Sequence, residues 1–449
     1  MKNNMGVVLL SHCGFSFLED LIEALKSRGL KTFVLSSLPL AEHNPQRLEE
    51  INNKVDVLSS TQAHQLTEDD VSNFLHLLTQ EGYDVLCCIT VWEGYRHLMA
   101  SVNQHLGIAD TDSQDIMALR NKLSLRNRLA NVGLSHIRAL KLGPDLLDEL
   151  KNSDVRYFIK PIYGIASYGA FPLHADVDWE TLEDIIASSQ KDPVYASAFN
   201  GTPAFLAEEY LHGQEYCFEV LLIDNQLFTV AIHEKCEVVE SAKTVLESCC
   251  TSPPTSLSQQ QCAQGIQWIK QLTEYLALRW GCFHIEAKYD GSRWDLIEVN
   301  PRVGGSLISH SVQAMTQGKS MLELWLDMLL CQRSPEQQHR FIEELEALSY
   351  SPDGKPGTVA TFFRVYFATC GLIESITLNP LPLTPSVSHI LLKPGDHVES
   401  DAREVFLGQL LWQFSQEDRQ STLETLFEVS REAIDIRYAT PRAQALLPR

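Results

Sequence analysis

Three observations predict a multidomain chain of mixed α/β and α+β class. The first 112 residues alternate strand and helix signals, residues 282–299 read as a β-hairpin, and the stretch from 331 onward mixes helices with antiparallel strands. GVVLLSHCG is a short apolar run, SFLEDLIEALKSRGL carries apolar residues at helical spacing up to Gly29, and KTFVLSS is a second strand. The order returns as VSNFLHLLTQEG, YDVLCCIT and WEGYRHLMASVNQHLG, so residues 1–112 are expected to form a Rossmann-like layered domain on a parallel sheet. The glycines after the first strand do not spell G-x-G-x-x-G, so no dinucleotide site is assigned there.

The chain has 449 residues, 44% hydrophobic and 21% charged, enough for two to four domains of a soluble globular enzyme. Asp and Glu outnumber Lys and Arg 58 to 36, and a net charge of −22 argues against nucleic acid as a partner. MGVVLL is too short to span a bilayer and lacks a cleavage pattern, so neither a membrane segment nor a secretory signal is expected. Eleven cysteines without C-x-x-C spacing fit reduced thiols in a cytoplasm better than a zinc or disulfide framework.

In the hairpin, CFHIEAKY and WDLIEV alternate apolar and polar residues on either side of Asp290-Gly291. A turn centred on Ser292 would place Glu286 opposite Glu298, with His284 and Asn300 on the same face by the two-residue repeat. Facing carboxylates repel unless a cation sits between them, and hard oxygen donors suit Mg²⁺ or Mn²⁺.

The frame Glu286-x11-Glu298-x-Asn300, followed by Pro301-Arg302 and Gly304-Gly305, resembles the C-terminal metal-binding signature of the ATP-grasp superfamily, most closely its amino-acid (dipeptide) ligases. The resemblance covers about residues 115 to 310 and implies a two-lobed ATP-grasp core that uses ATP and a divalent ion. One helix is expected between Asp112 and Gly133, and its N-K-x-x-x-R-x-x-L phrase implies Lys122 as a phosphate contact. Lys160-Pro161 with Gly164, Ser167 and Gly169 resembles the family's glycine-rich lid, with Lys160 and Ser167 meeting the triphosphate.

Glu208, Glu209, Tyr210 and Leu211 resemble the hinge that reads adenine, and Glu215 the carboxylate on the ribose hydroxyls. Lys235 is a candidate third phosphate lysine. Glu234 is a candidate for a substrate ammonium, with His233, His284, Gly304 and Gly305 as further substrate contacts. Arg302 is the candidate donor to a developing oxyanion, which makes Arg302, Lys160 and Glu298 the expected catalytic set. Val238–Ser258 is expected to be a loop over the site, because Pro253-Pro254 interrupts a polar stretch.

The expected domains are 1–112, then 113–330 with a lid at about 140–207, then a smaller C-terminal α+β domain at 331–449. The function implied is an ADP-forming carboxylate–amine ligase acting on small molecules, amino acids first, through an acylphosphate. Alternatives are a purine-type or carboxyphosphate-forming ATP-grasp enzyme and a non-catalytic nucleotide-binding module. A homodimer is among the assemblies left open.

Overall fold

A computed structural model describes residues 4–439 apart from 16, 41–45, 193, 200, 202, 241–243, 352 and 399–404. The first four strands, β1 (Met5–Ser11), β2 (Lys31–Ser36), β3 (Val57–Ser60) and β4 (Asp84–Ile89), form a parallel sheet in the order β3-β2-β1-β4. Helices pack on it through Leu21, Leu25, Phe74 and Leu98, which bear out the strand–helix alternation.

Strands β5 (Ala139–Lys141), β6 (Tyr157–Pro161), β7 (Phe171–Pro172) and β8 (Phe205–Glu209) make a small antiparallel sheet. The helix Trp179–Lys191 covers it, with Leu182 in one core with Ile159, Phe171 and Phe205. The hinge phrase thus ends an inner strand, and the glycine-rich loop connects β6 to β7.

The largest sheet begins with β9 (Gln214–Ile223), β10 (Gln226–Glu240), β11 (Val245–Ser252), β12 (Gly281–Tyr289) and β13 (Trp294–Asn300). The C-terminal strands are β14 (Val359–Phe367), β15 (Gly371–Leu378), β16 (Val387–Ile390), β17 (His397–Val398), β18 (Phe406–Ser415) and β19 (Ile434–Tyr438). Eight strands run β13-β12-β9-β10-β11-β14-β18-β16, so the C-terminal α+β region continues the sheet of the core. Strands β17-β15-β19 form a separate small sheet.

Two expectations need correction. The segment 113–131 is two helices, Ser113–Arg120 and Lys122–Asn131, because Asn121 leaves helical geometry and its side chain caps the second helix at the Ser124 amide. The expected loop Val238–Ser258 contains a strand, β11, since VLESCCTS finds pairing partners on both edges in β10 and β14. Residues 241–243 of that stretch lie outside the described residues.

The N-terminal layer is tied to the core by buried charge. Arg96 is fully buried, pairs with Asp110 at 3.1 Å, and donates its Nε to the Pro301 carbonyl at 2.5 Å, fixing the loop that follows β13. Among the described residues no helix is long and apolar enough to cross a membrane.

Candidate active site

The hairpin β12–β13 places Glu286 opposite Glu298 and His284 opposite Asn300, with all four on one face. The pairs nearest the turn, Tyr289 with Trp294 and Lys288 with Asp295, are centred between Gly291 and Ser292, not on Ser292. A bulge at Ile297 shifts the register by one residue and brings the two glutamates level. Asn300 Nδ2 donates to Glu298 at 3.0 Å and Glu286 at 3.4 Å, and His284 Nε2 lies 3.2 Å from Glu286.

Lys235, from β10, enters this face from the neighbouring strands. Its ammonium donates to Glu215, Glu247 and Glu286, the last at 2.8 Å. Carboxylate oxygens of these three acids lie within 4.8 Å of one another. Burial alone would lower the Lys235 pKa, but the three carboxylates hold it well above its ordinary value. Burial would raise Glu286, yet Lys235 and His284 keep it well below the usual range. Partial burial, then Glu286 and Glu215, push Glu247 up to about 7 against the pull of Lys235. Against burial, Glu219 and then Glu286 raise His284 to about 10, and Glu219 accepts from its Nδ1 at 2.7 Å.

This donor set fits a hard divalent cation. Its groups offer carboxylate or amide oxygen, and the Lys235 ammonium already stands where a cation would be neutralised by converging acids.

Lys160, at the end of β6, has the opposite surroundings. Its ammonium donates to Glu208, which also accepts from Arg126 Nε at 3.0 Å, while Arg126 reaches Asp295 at 2.8 Å. Burial lowers the Lys160 pKa despite Glu208, with Arg126 and Lys122 acting in the same direction. Lys122 joins the two regions: its Nζ donates to the Gly164 carbonyl at 2.9 Å and lies 3.1 Å from Glu298.

Lys122, Lys160, Glu208, Glu215, Glu247, Glu286 and Glu298 line a cavity between the small sheet and the large one. Lys122, Lys160, Ser167, Glu286 and Glu298 form its charged end, and Phe158, Leu211, Val238 and Ile297 supply apolar walls. The glycine-rich loop closes over it with Ala166 and Ser167 at φ 54° and 51°, a left-handed geometry that costs non-glycine residues energy and clusters at ligand clamps. Tyr210, Leu211 and Glu215 face the same cavity, and Arg156 stacks 3.7 Å from the Tyr210 ring centre.

Other expected residues do not reach it. Glu209 is exposed and outside the lining, because it alternates with Glu208 along β8. Glu234 points away from Lys235 for the same reason: its carboxylate accepts from the Thr255 amide at 2.7 Å and the Ser256 amide at 3.0 Å, so it is not placed for a substrate ammonium. His233 is fully buried against Ser311 at 2.8 Å and lines neither cavity, which removes it as a substrate contact.

A second cavity continues from the first and shares Ser167, Glu247, Glu286 and Glu298 with it. Arg302, His284 and Gly305 line it, and Arg302 is held by Glu93 at 3.2 Å. Gly304 has no room for a side chain, since a Cβ there would stand 2.7 Å from His284 Nδ1. Sequence reasoning missed Glu247, Glu93, Arg126 and Glu219. Glu247 was recoverable only by recognising β11 as a strand.

Residues 154–310 match the family model described as an ATP-grasp domain. No curated protein matches the chain significantly by sequence. Among solved structures, L-amino acid ligase from Bacillus licheniformis superposes with a TM-score of 0.70 at 16% identity, covering 98% of this chain and 100% of that one. Phosphoribosylglycinamide synthetase from Anaerococcus prevotii gives 0.64 at 14% identity, covering 97% and 100%. Biotin carboxylase from Campylobacter jejuni gives 0.61 at 11% identity, covering 96% and 92%.

Proposed function

We propose that this chain, which carries an ATP-grasp domain within the fold of the ATP-grasp ligases, is an ADP-forming carboxylate–amine ligase joining small molecules, amino acids in the first instance. The observation that carries the reading is that Glu286, bonded to Lys235, shares a hairpin face with Glu298, which pairs with Lys122, and that both glutamates line one cavity with Lys122 and Lys160. A nucleotide triphosphate with its divalent ion is the ligand that meets both halves of that charge pattern.

A carboxylate resists amines because its oxygen leaves poorly. Transfer of the γ-phosphoryl of ATP to that oxygen gives an acylphosphate and ADP. The amine nitrogen then attacks the carbonyl carbon, the carbon–oxygen bond to phosphate breaks, and inorganic phosphate departs. Mg²⁺ or Mn²⁺, held by Glu286, Glu298 and Asn300, would supply neutralisation of the triphosphate when bound.

The chain's own residues do the rest. Lys160 and Lys122 bind phosphate oxygens, and Lys235 keeps Glu215, Glu247 and Glu286 from repelling one another apart. Tyr210, Leu211 and the apolar wall take the base, and Glu215, which lines the same cavity, takes the ribose hydroxyls. Arg302, in the second cavity, donates to the carbonyl oxygen as it gains charge. The loop at Gly164 to Gly169 keeps water from the acylphosphate.

The test is a screen of amino-acid pairs with ATP and Mg²⁺. ADP and phosphate release that requires both partners is expected. AMP as the nucleotide product, or phosphate release that never depends on an amine, overturns the reading.

A further inference from the structure

We propose that the second cavity selects the carboxylate substrate by a large apolar side chain, aromatic or branched aliphatic, seated on β14 and β18. The inference rests on the ligase reading and names the substrate class for its site.

Strand alternation builds the wall. In VATFFRVYF, Phe363, Val365 and Phe367 face the cavity. Their neighbours turn the other way: Arg364 Nε donates to Ser430 Oγ at 2.8 Å, and the Tyr366 hydroxyl donates to the Ser430 carbonyl. Phe406, at the start of β18, is paired with Phe367 across the ladder, and their ring centres lie 5.4 Å apart. Phe363 and Val365 are buried, whereas Phe367 and Phe406 are only partly so and leave ring surface open to the cavity. Ile308, at the start of its helix, extends the same surface.

Charge is confined to the other end. Glu247, Glu286 and Glu298 are shared with the nucleotide cavity, Lys235 and His284 are bonded to Glu286, and Arg302 follows Asn300 by two residues. A substrate carboxylate presented at that shared wall directs its side chain towards the phenylalanines. A charged side chain would meet no counter-charge among the β14 and β18 residues lining the cavity and would lose its water there. The Ser306 hydroxyl is already committed to Gln409 at 2.8 Å. An apolar side chain displaces water from apolar surface, which is favourable.

The experiment uses the full chain with ATP, Mg²⁺ and hydroxylamine, a small nucleophile that traps activated carboxyl groups as hydroxamates whatever the natural amine. Phenylalanine, leucine and isoleucine should exceed alanine, aspartate and lysine by on the order of 10–100-fold in kcat/KM, as expected when a pocket discriminates by apolar bulk. Phe367→Ala and Phe406→Ala should narrow the phenylalanine-to-alanine ratio by about 10-fold or more, chiefly through KM, while ATP still raises the unfolding temperature. Efficient turnover of aspartate or lysine in preference to the apolar acids, or an unchanged ratio in both variants, overturns the substrate class and leaves the ligase reading standing. No ADP from any acid overturns both.

Discussion

Two buried lysines, Lys160 on the first cavity and Lys235 on the second, have inverted company. Lys160 shares one carboxylate, Glu208, with a second cation, Arg126, whereas Lys235 is one cation shared by Glu215, Glu247 and Glu286. Their pKa values move in opposite directions, Lys160 down and Lys235 up. Burial is the same cost for both, so the difference lies in the neighbours. One site gains from an added anion and the other tolerates a second cation.

Breaking the Lys235 side should have the largest effect. Lys235→Met leaves three converging acids without their ammonium, and a broken buried charge cluster costs on the order of 3–5 kcal/mol. Denaturant unfolding should show that loss in chelator and recover part of it in Mg²⁺; stability indifferent to Mg²⁺ would contradict the acid cluster's affinity for cations. Lys160→Met should instead spare the fold, since Arg126 keeps Glu208 paired. Turnover should fall about 10²–10³-fold, as when a preorganised charge at a reacting group is removed. An equal loss of stability in the two variants would erase the distinction between them.

A smaller effect separates binding from chemistry. Arg302→Lys should keep ATP protection against unfolding while lowering kcat about 10-fold or more, because a lysine cannot reproduce the fixed donors of a guanidinium. Reduced ATP protection would place Arg302 with the nucleotide instead.

The least effect is on acid stability. Burial pushes both His12, in the N-terminal layer, and His233, in the core, down to about 4. Unfolding releases them to the ordinary histidine range, near 6.5. The unfolded chain therefore binds more protons between those values, and stability falls as pH drops from about 6.5 to about 4. His12→Asn should flatten part of that acid limb in thermal unfolding across this range. An unchanged slope would mean that His12 is not held neutral.

The two-residue repeat made Glu286 legible beside His284, and Glu298 beside Asn300, each pair on its own strand, but whether the two pairs share a face depends on the turn and the register. The bulge at Ile297 was not legible, since an extra residue leaves no periodic mark and is defined only against its partner strand. The same parity, applied to β10, would have separated Lys235 from Glu234. The strand β11 was hidden because its stabilisation comes from pairing with β10 and with β14, more than a hundred residues later in the chain. Asn121 broke a helix whose apolar spacing runs on without interruption, since capping depends on a local backbone angle.

The central claim is that γ-phosphoryl passes to a substrate carboxylate. It is tested most directly by supplying the acid with both carboxyl oxygens as ¹⁸O and analysing the released phosphate by mass. The account predicts one ¹⁸O in each phosphate formed during ligation, because the oxygen that accepts the phosphoryl leaves with it. Phosphate carrying no label while product accumulates would contradict it.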